Sequence, residues 1–575
     1  MLIFILSTLT LTITAILGGG IFPFMIATIA AGLSIACLLT HTNIKQSSLL
    51  PLLTGSLILI LLATWIPLPS GLVANFGSKR THQNLLAEKA IQKASELALI
   101  KPATSYYSIT RNRAGTARMI LLIIAGATLA ALTAKMSAMW KERFVLFMIL
   151  LITTIAALGF ISQWILPQEK NLWWIFPVSH GKPVGCFVNR NHFGGFAALF
   201  AAPAIFLAAD SLARKNYFQA MLRGFCLVIL CFATFMSLSK GAWLALSASM
   251  LFATAVLLIQ KKWLSSIILI SSIAIAVAII TLVKVPNQQL NERLGSLSNI
   301  SKNQSVAMRL STWRDSYAIL RDYPFSGTGA NAFRTVFPQY RKATTRKPFE
   351  HAENEYVQIP VEFGIPATIV IIAILICIAA RWKSAFQTPN NALIALCVAG
   401  VLVTAATHSL TDFALRIPIY FLTVFSMIGL ILSTSNIEQD TKHAFDHILP
   451  LTGLLIVLLL STSGKSVYKT DFSDFFETAS NEEICRALVW SPTSWRAWYS
   501  LCRASVAIKS DEACRFGEKC LSQATQYDPR NYALWEELAC LRLGIQDIDG
   551  AREAYRKLQE LRPWKQISEL EIKPQ

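Results

Sequence analysis

The sequence predicts an all-α fold: a polytopic transmembrane helical bundle of about 12 or 13 spans, with a large extracytoplasmic loop and a C-terminal α-solenoid. Three observations predict it. The chain has 575 residues, 54% of them hydrophobic, and its mean hydropathy is +0.49, too apolar for a soluble protein of this size. The apolar residues fall in blocks close to the roughly 20 residues that cross a bilayer as a helix. After the last block the composition turns polar and repeats itself.

In chain order the apolar blocks are 2–18, 21–40, 49–66, 118–134, 144–162, 193–209, 221–239, 242–260, 264–284, 358–380, 391–408, 417–433 and 448–465. The first lacks a basic start and runs through "ILGGGIF" into the second, so it reads as a retained span rather than a cleaved leader. The net charge of +19 is scattered over loops. It therefore points to membrane orientation and anionic lipid rather than to nucleic acid. Short loops carrying Lys135, Lys141, Arg143, Arg214, Lys215, Arg223, Lys261, Lys262, Arg381 and Lys383 fall on one side if the spans alternate. The positive-inside rule makes that side cytoplasmic. Residues 67–117, 163–192, 285–357 and the tail are then outside. The 67–117 loop is also basic, but long loops obey the rule weakly.

The divisions expected are 1–180, N-terminal spans with an outer loop at 67–117; 181–435, a catalytic membrane core with the large loop 285–357; 436–465, the last span; and 466–575, the repeat domain. Within the first outer loop, "NLLAEKAIQKASELALI" reads as an amphipathic helix, either on the membrane surface or packed as an ordinary soluble helix. In the tail, "PTSWRAWYSL" and "PRNYALWEEL" share Pro, an aromatic at +3, Trp at +6 and Leu at +9. Pro563 follows Pro529 by 34 residues, the tetratricopeptide period. Stacked helix pairs of that kind bind peptides or partner proteins, or simply cap a fold. Trp498 and Trp535 should occupy equivalent places, and truncation near residue 470 should leave the membrane part folded. Of eleven cysteines, five lie in the tail: Cys485, Cys502, Cys514, Cys520 and Cys540. No C-x-x-C occurs, so zinc is not expected, and at most two tail disulfides are allowed.

The residues able to do chemistry gather at outer ends of spans. In "KPFEHAENEYVQIPVEFG", a helix that began early would place His351, Asn354, Glu355 and Gln358 on one face at i, i+3, i+4 and i+7. A polar face there points into a wet cavity or the bundle, not into lipid. Histidine titrates near neutral pH and can take a proton from a hydroxyl. "FVNRNHFGG" opens another span with Asn189, Arg190, Asn191 and His192. "MRLSTWRDSY" brings Arg309 and Trp313, followed by the turn-rich "PFSGTGANAF". "HSLTDFALRIP" sets His408, Asp412 and Arg416 on a short outer loop. Arginine, always charged and forked, suits phosphate or pyrophosphate. Each of these residues taken singly also fits an interfacial anchor.

Taken as an ordered set over about 180–435, "FVNRNHFGG", "SLSKGAWLAL", "MRLSTW", "PFSGTGANAF", "HAENEYVQIPVEFG" and "HSLTDFALRIP" resemble the O-antigen ligase and polymerase superfamily of bacterial membrane glycosyltransferases. "PLPSGL" and "KPATSYYS" in the first outer loop look similar as well. The sequence departs at Lys240, where the family often has arginine, and at Glu353, where many members carry a second histidine. The resemblance implies transfer of a glycan from an undecaprenyl-pyrophosphate carrier to a lipid or protein acceptor hydroxyl, inverting and without metal or other cofactor, at the outer face of the bacterial inner membrane. It assigns His351 as the catalytic base and Arg190 and Arg309 as the pyrophosphate clamp. Asn189, Asn191, Lys240, Glu353, Asn354, Tyr356, His408 and Asp412 are supporting residues. The only D-x-D pair, Asp547–Asp549, lies in a turn between repeat helices and is discounted as a metal site.

A protein oligosaccharyltransferase and a repeat-unit polymerase share the donor half of such a site. A transporter of lipid-linked sugars would place titratable groups near the bilayer midplane. The span centres here are nearly free of charge. A scaffold built around the tail would leave the outer-face motifs without a use.

Overall fold

The computed structural model describes residues 1–17, 29–33, 35, 49–69, 78–100, 107–178, 182–261, 304–344, 349–386, 389–432 and 479–563. Seven helices among them are long and apolar enough to cross a membrane. They are Arg113–Ala134, Ala138–Trp164, Arg190–Ala213, Tyr217–Met236, Lys240–Ile259, Glu355–Ala380 and Asn391–His408. Three shorter apolar helices, Leu2–Ile16, Leu49–Trp65 and Pro418–Leu432, join them. Ten of the expected blocks are thus helices. The blocks at 264–284 and 448–465, and most of 21–40, lie outside the described residues.

A bilayer offers no water to free backbone groups, so a span must close its own hydrogen bonds and its ends need caps. Five spans begin on Asn or Ser with that geometry. Asn112, Asn189, Asn216, Ser239 and Asn354 each accept a hydrogen bond from a backbone N–H in the first turn that follows. Small residues then let helices approach closely. Gly126 lies against Phe421, and Gly429 against Ala130 and Thr133, where the helices 113–134 and 418–432 cross. Thr133 Oγ1 donates to Ser426 O across that contact at 2.8 Å.

The span 190–213 is interrupted at Leu199–Phe200, giving helices Arg190–Ala198 and Ala201–Ala213. Its glycine pair is explained by packing. A Cβ on Gly194 would overlap Ser237 and Ala242, and one on Gly195 would overlap the His408 ring. Three separated sequence motifs therefore meet at these two glycines.

Beyond the spans, helix Ser78–Glu96 of the first outer loop packs into protein rather than lying alone. Ala87, Ala90, Ile91 and Ala94 share one hydrophobic cluster with Ile484, Leu488, Trp498, Leu501 and Phe516 of the tail. The tail consists of helices Asn481–Trp490, Trp495–Val506, Asp511–Tyr527, Tyr532–Gly544 and Ile548–Leu561. Trp498 Nε1 donates to Pro492 O and Trp535 Nε1 to Pro529 O, both at 2.9 Å, so the two repeats place their tryptophans equivalently. Arg341 closes a second contact with the tail, donating through Nε and Nη2 to Asp528 Oδ1 at 3.0 and 2.7 Å. The core of the tail is thus completed by residues of the loop at 67–117. The five tail cysteines are free thiols, and Asp547 caps the last helix by accepting from Gly550 N at 3.0 Å.

Candidate functional site

The helix after the histidine motif starts at Glu355, not earlier, because Asn354 is extended and its side chain accepts from Tyr356 N and Val357 N. His351 therefore precedes the helix, and the expected shared face is not formed as such. The backbone turns at Glu353 with φ of 51°. Trp313 Nε1 donates to Ala352 O at 2.9 Å, and Glu355 N donates to Ser409 O at 2.9 Å. The histidine segment is thus pinned between helix Gln304–Asp322 and the end of helix Pro389–His408.

Gln358 links His351 to the helix. Its Oε1 accepts from Ala352 N at 2.9 Å, which fixes the amide orientation. Its Nε2 then donates to Glu362 Oε1 and to His351 Nδ1, both at 2.9 Å. With Nδ1 accepting, the neutral ring carries its hydrogen on Nε2. Burial, then the charges of Arg416, His192 and Arg334, hold the imidazole well below the ordinary histidine range, so it is neutral at pH 7.

Below it lies a buried charge cluster. Arg416 Nη1 donates to Glu362 Oε2 at 2.6 Å and to Asn331 Oδ1 at 2.8 Å. Its Nε and Nη2 meet the two oxygens of Glu355 at 3.1 and 3.2 Å. Glu362 also accepts from Asn331 N and Phe333 N at 2.8 and 3.0 Å. Two carboxylates around one guanidinium offset the cost of burying it, and each of the four carboxylate oxygens finds a donor. The turn-rich motif supplies those donors. The fold there depends on Gly364, whose φ is 79° and whose missing Cβ leaves room for Phe325 O and Gly327 N.

Beside this cluster is a pair of histidines, His192 and His408. Asp412 Oδ2 lies 3.1 Å from His192 Nδ1 and 3.5 Å from His408 Nε2, in contacts too poorly aligned to be hydrogen bonds. Burial alone would raise the Asp412 carboxyl, but His192, His408 and the Phe413 N–H outweigh it and hold it at about 2. Phe413 joins the two clusters: its ring stacks on His351 at 3.8 Å and meets His192 edge-on at 4.6 Å between centroids.

Of the sequence-predicted residues, His351, Asn354, His408 and Asp412 come together here. Arg309 forms an ion pair with Glu353, adjacent to the histidine segment. Asn189, Arg190 and Asn191 form the capped start of the helix that carries His192. Lys240 begins the helix after Ser239. Tyr356 is exposed and turns away, its hydroxyl donating to Ala406 O at 3.0 Å. Sequence reasoning gave no role to Glu362, Asn331 or Phe413, and read His192 and Gln358 without assigning them one. Glu362 had a usable signal, since a carboxylate well inside a span is a functional candidate. Among the described residues no group of three His, Cys, Asp or Glu side chains is arranged to hold a metal ion.

A polytopic helical bundle with a neutral histidine, a buried arginine–carboxylate cluster and further arginines at one end of its spans defines a multi-pass membrane protein with a polar site at the ends of its apolar helices. Residues 225–372 match the family model described as O-antigen ligase, a segment that holds Lys240, Arg309, His351, Asn354 and Tyr356. The match supports a likeness to the O-antigen ligase superfamily and, in general terms, membrane glycosyl transfer of the ligase or polymerase type. No curated protein matches the chain.

Proposed function

We propose that the chain transfers a glycan from an undecaprenyl-pyrophosphate-linked donor to an acceptor hydroxyl on the periplasmic face of the inner membrane, as an inverting transferase that needs no metal. The observation that carries this reading is the neutral, partly exposed His351, locked by Gln358 to a buried Glu362–Arg416–Glu355 cluster at a span mouth. The isoprenoid of such a donor stays in the bilayer while its phosphates and sugar lie at the surface. Reactive groups are useful at that height. Arg190 and Arg309 are the candidates for the leaving pyrophosphate, where fixed positive charge stabilises what develops in the transition state. His351 is the proposed acceptor of the hydroxyl proton. That role requires Gln358 to release Nδ1 as substrate binds, because the resting ring presents N–H, not a lone pair, at Nε2.

A second reading of the proton acceptor rests on Asp412. If it holds Nδ1–H of His192, the His192 Nε2 lone pair is free, and His351 becomes a hydrogen-bond donor to the substrate. His351→Gln separates the two, since an amide donates but does not take a proton. The tail, which reads as a tetratricopeptide-like array, is proposed to hold a protein partner or to cap the outer face. A protein oligosaccharyltransferase and a repeat-unit polymerase remain the alternatives within the superfamily.

The test is transfer from purified lipid-linked glycan to acceptor by purified protein, with EDTA present. Transfer in EDTA that falls about 10²-fold in both His351→Ala and His351→Gln supports the base assignment. Full activity of His351→Gln, with loss in His192→Gln, moves the base to His192. No transfer to any lipid, polymer or protein acceptor overturns the proposal.

A further inference from the structure

Arg111 is fully buried, at 0% exposure, where three outer pieces of the chain meet. Its backbone N donates to Thr328 O of the large loop at 2.7 Å. Its Nη1 donates to Asn84 Oδ1 of helix Ser78–Glu96 at 2.7 Å. Burial opposes its charge, and Tyr323 of the large loop and Tyr527 of the tail favour it. Among the described residues no carboxylate pairs with it. Its Nε and Nη2, and the Nδ2 of Asn84, are buried donors with no hydrogen-bond acceptor.

That combination is costly as it stands. A buried charge is normally paired, and each buried donor left unmet forfeits the hydrogen bond it made to water. The unmet groups of Arg111 and Asn84 are all donors, and two of them, Nε and Nη2, form the side-on edge by which a guanidinium grips an anion with two parallel N–H groups; the Tyr527 hydroxyl, which acts on the same charge, is buried and unpaired as well. The Asn84 amide adds a third donor from the helix that already holds Nη1. A second guanidinium, Arg80, is 2% exposed, acts electrostatically on Arg111 and lies 4.7 Å over the Tyr323 ring, so the local field is positive. Helix Ser78–Glu96 and the tail form a common hydrophobic cluster beside these residues. The occupant is therefore small and inorganic rather than a lipid headgroup or a glycan phosphate.

We propose that Arg111 and Asn84 bind a small inorganic anion, phosphate or chloride, that ties the first outer loop to the large loop and the tail. The site is separate from the His351 cluster and does not depend on the function proposed above. Bound anion raises stability by mass action.

The experiment uses the full chain purified in detergent and exchanged into gluconate at constant ionic strength. Ion chromatography of the denatured protein reads any anion retained, and Tm is followed as chloride or phosphate is added. The expected result is one anion retained per chain, or a saturable rise in Tm of a few degrees with one of the two salts. Which salt acts identifies the anion. Arg111→Gln should abolish both signals, and Asn84→Leu, which keeps the charge, should shift the midpoint to higher anion concentration. If Arg111→Gln does not fold, anomalous density from bromide, or density from phosphate, at the Arg111 side chain of the wild type decides. No retained anion together with identical Tm in gluconate, chloride and phosphate overturns the proposal. So does an equal response from a folded Arg111→Gln protein, or the lack of both bromide density in bromide and phosphate density in phosphate there.

Discussion

At the scale of single residues, the proposed chemistry turns on what His351 and Arg309 face. His351 is held below the ordinary histidine pKa by burial and by Arg416. A base must be unprotonated to act, so a lowered pKa moves the acid limb of the rate profile down. kcat/KM should stay flat from pH 8 to below about 6.5, the ordinary value, and fall only at lower pH. A profile that fell with a midpoint at 6.5 or above would contradict this environment. Arg309 is paired with Glu353, so the donor pyrophosphate proposed to bind there would compete with that carboxylate. Exposed pairs of this kind are worth about 0–1 kcal/mol. Glu353→Gln should therefore lower the donor KM by roughly twofold to fivefold. Arg309→Lys should raise it, because an ammonium does not form the fork. Unchanged KM in both variants would remove Arg309 from donor binding.

At the scale of elements, helix Glu355–Ala380 shows what the sequence disclosed and what it hid. Its existence was legible from the apolar run, but its start at Glu355, after the Asn354 cap, was not. The placing of His351 before the helix was missed because i, i+4 spacing extends a helical pattern past a cap that only geometry reveals. The partnership of Glu362 with Arg416 spans 54 residues, and no local pattern reports such a contact. His192, Phe413 and His351 meet in the same way, through the two glycines that let helix Arg190–Ala198 approach His408. The same element carries two stability predictions. Glu362→Ala leaves Arg416 buried with half its partners, and should cost about 3–5 kcal/mol in detergent unfolding. Gly364→Ala forces a side chain to φ of 79° against Phe325 O, and should cost more than the roughly 1–3 kcal/mol of such strain alone. A Gly364→Ala protein with wild-type Tm would show that the helix does not need this kink.

At the scale of the whole molecule, the tail and two outer loops form one body. Arg341 pairs with Asp528 and Lys93 with Glu512, and the tail core includes Ala87, Ile91 and Tyr107. These pieces must lie on the same side of the membrane, and the positive-inside reading makes that side the outside. The exposed Cys540 of the tail should accordingly react with an impermeant maleimide in spheroplasts that retain an intact inner membrane. Reaction only after lysis would place the site on the cytoplasmic side. Glycan transfer itself is tested most directly by mass spectrometry of lipid, polymer and protein glycans from three cell lines: with this chain, without it, and with His351→Ala in its place. One class of glycan conjugate should be present in the first and missing from the second and third, while undecaprenyl-linked glycan accumulates in both of those. Identical glycans in all three fractions of all three cell lines would contradict the account.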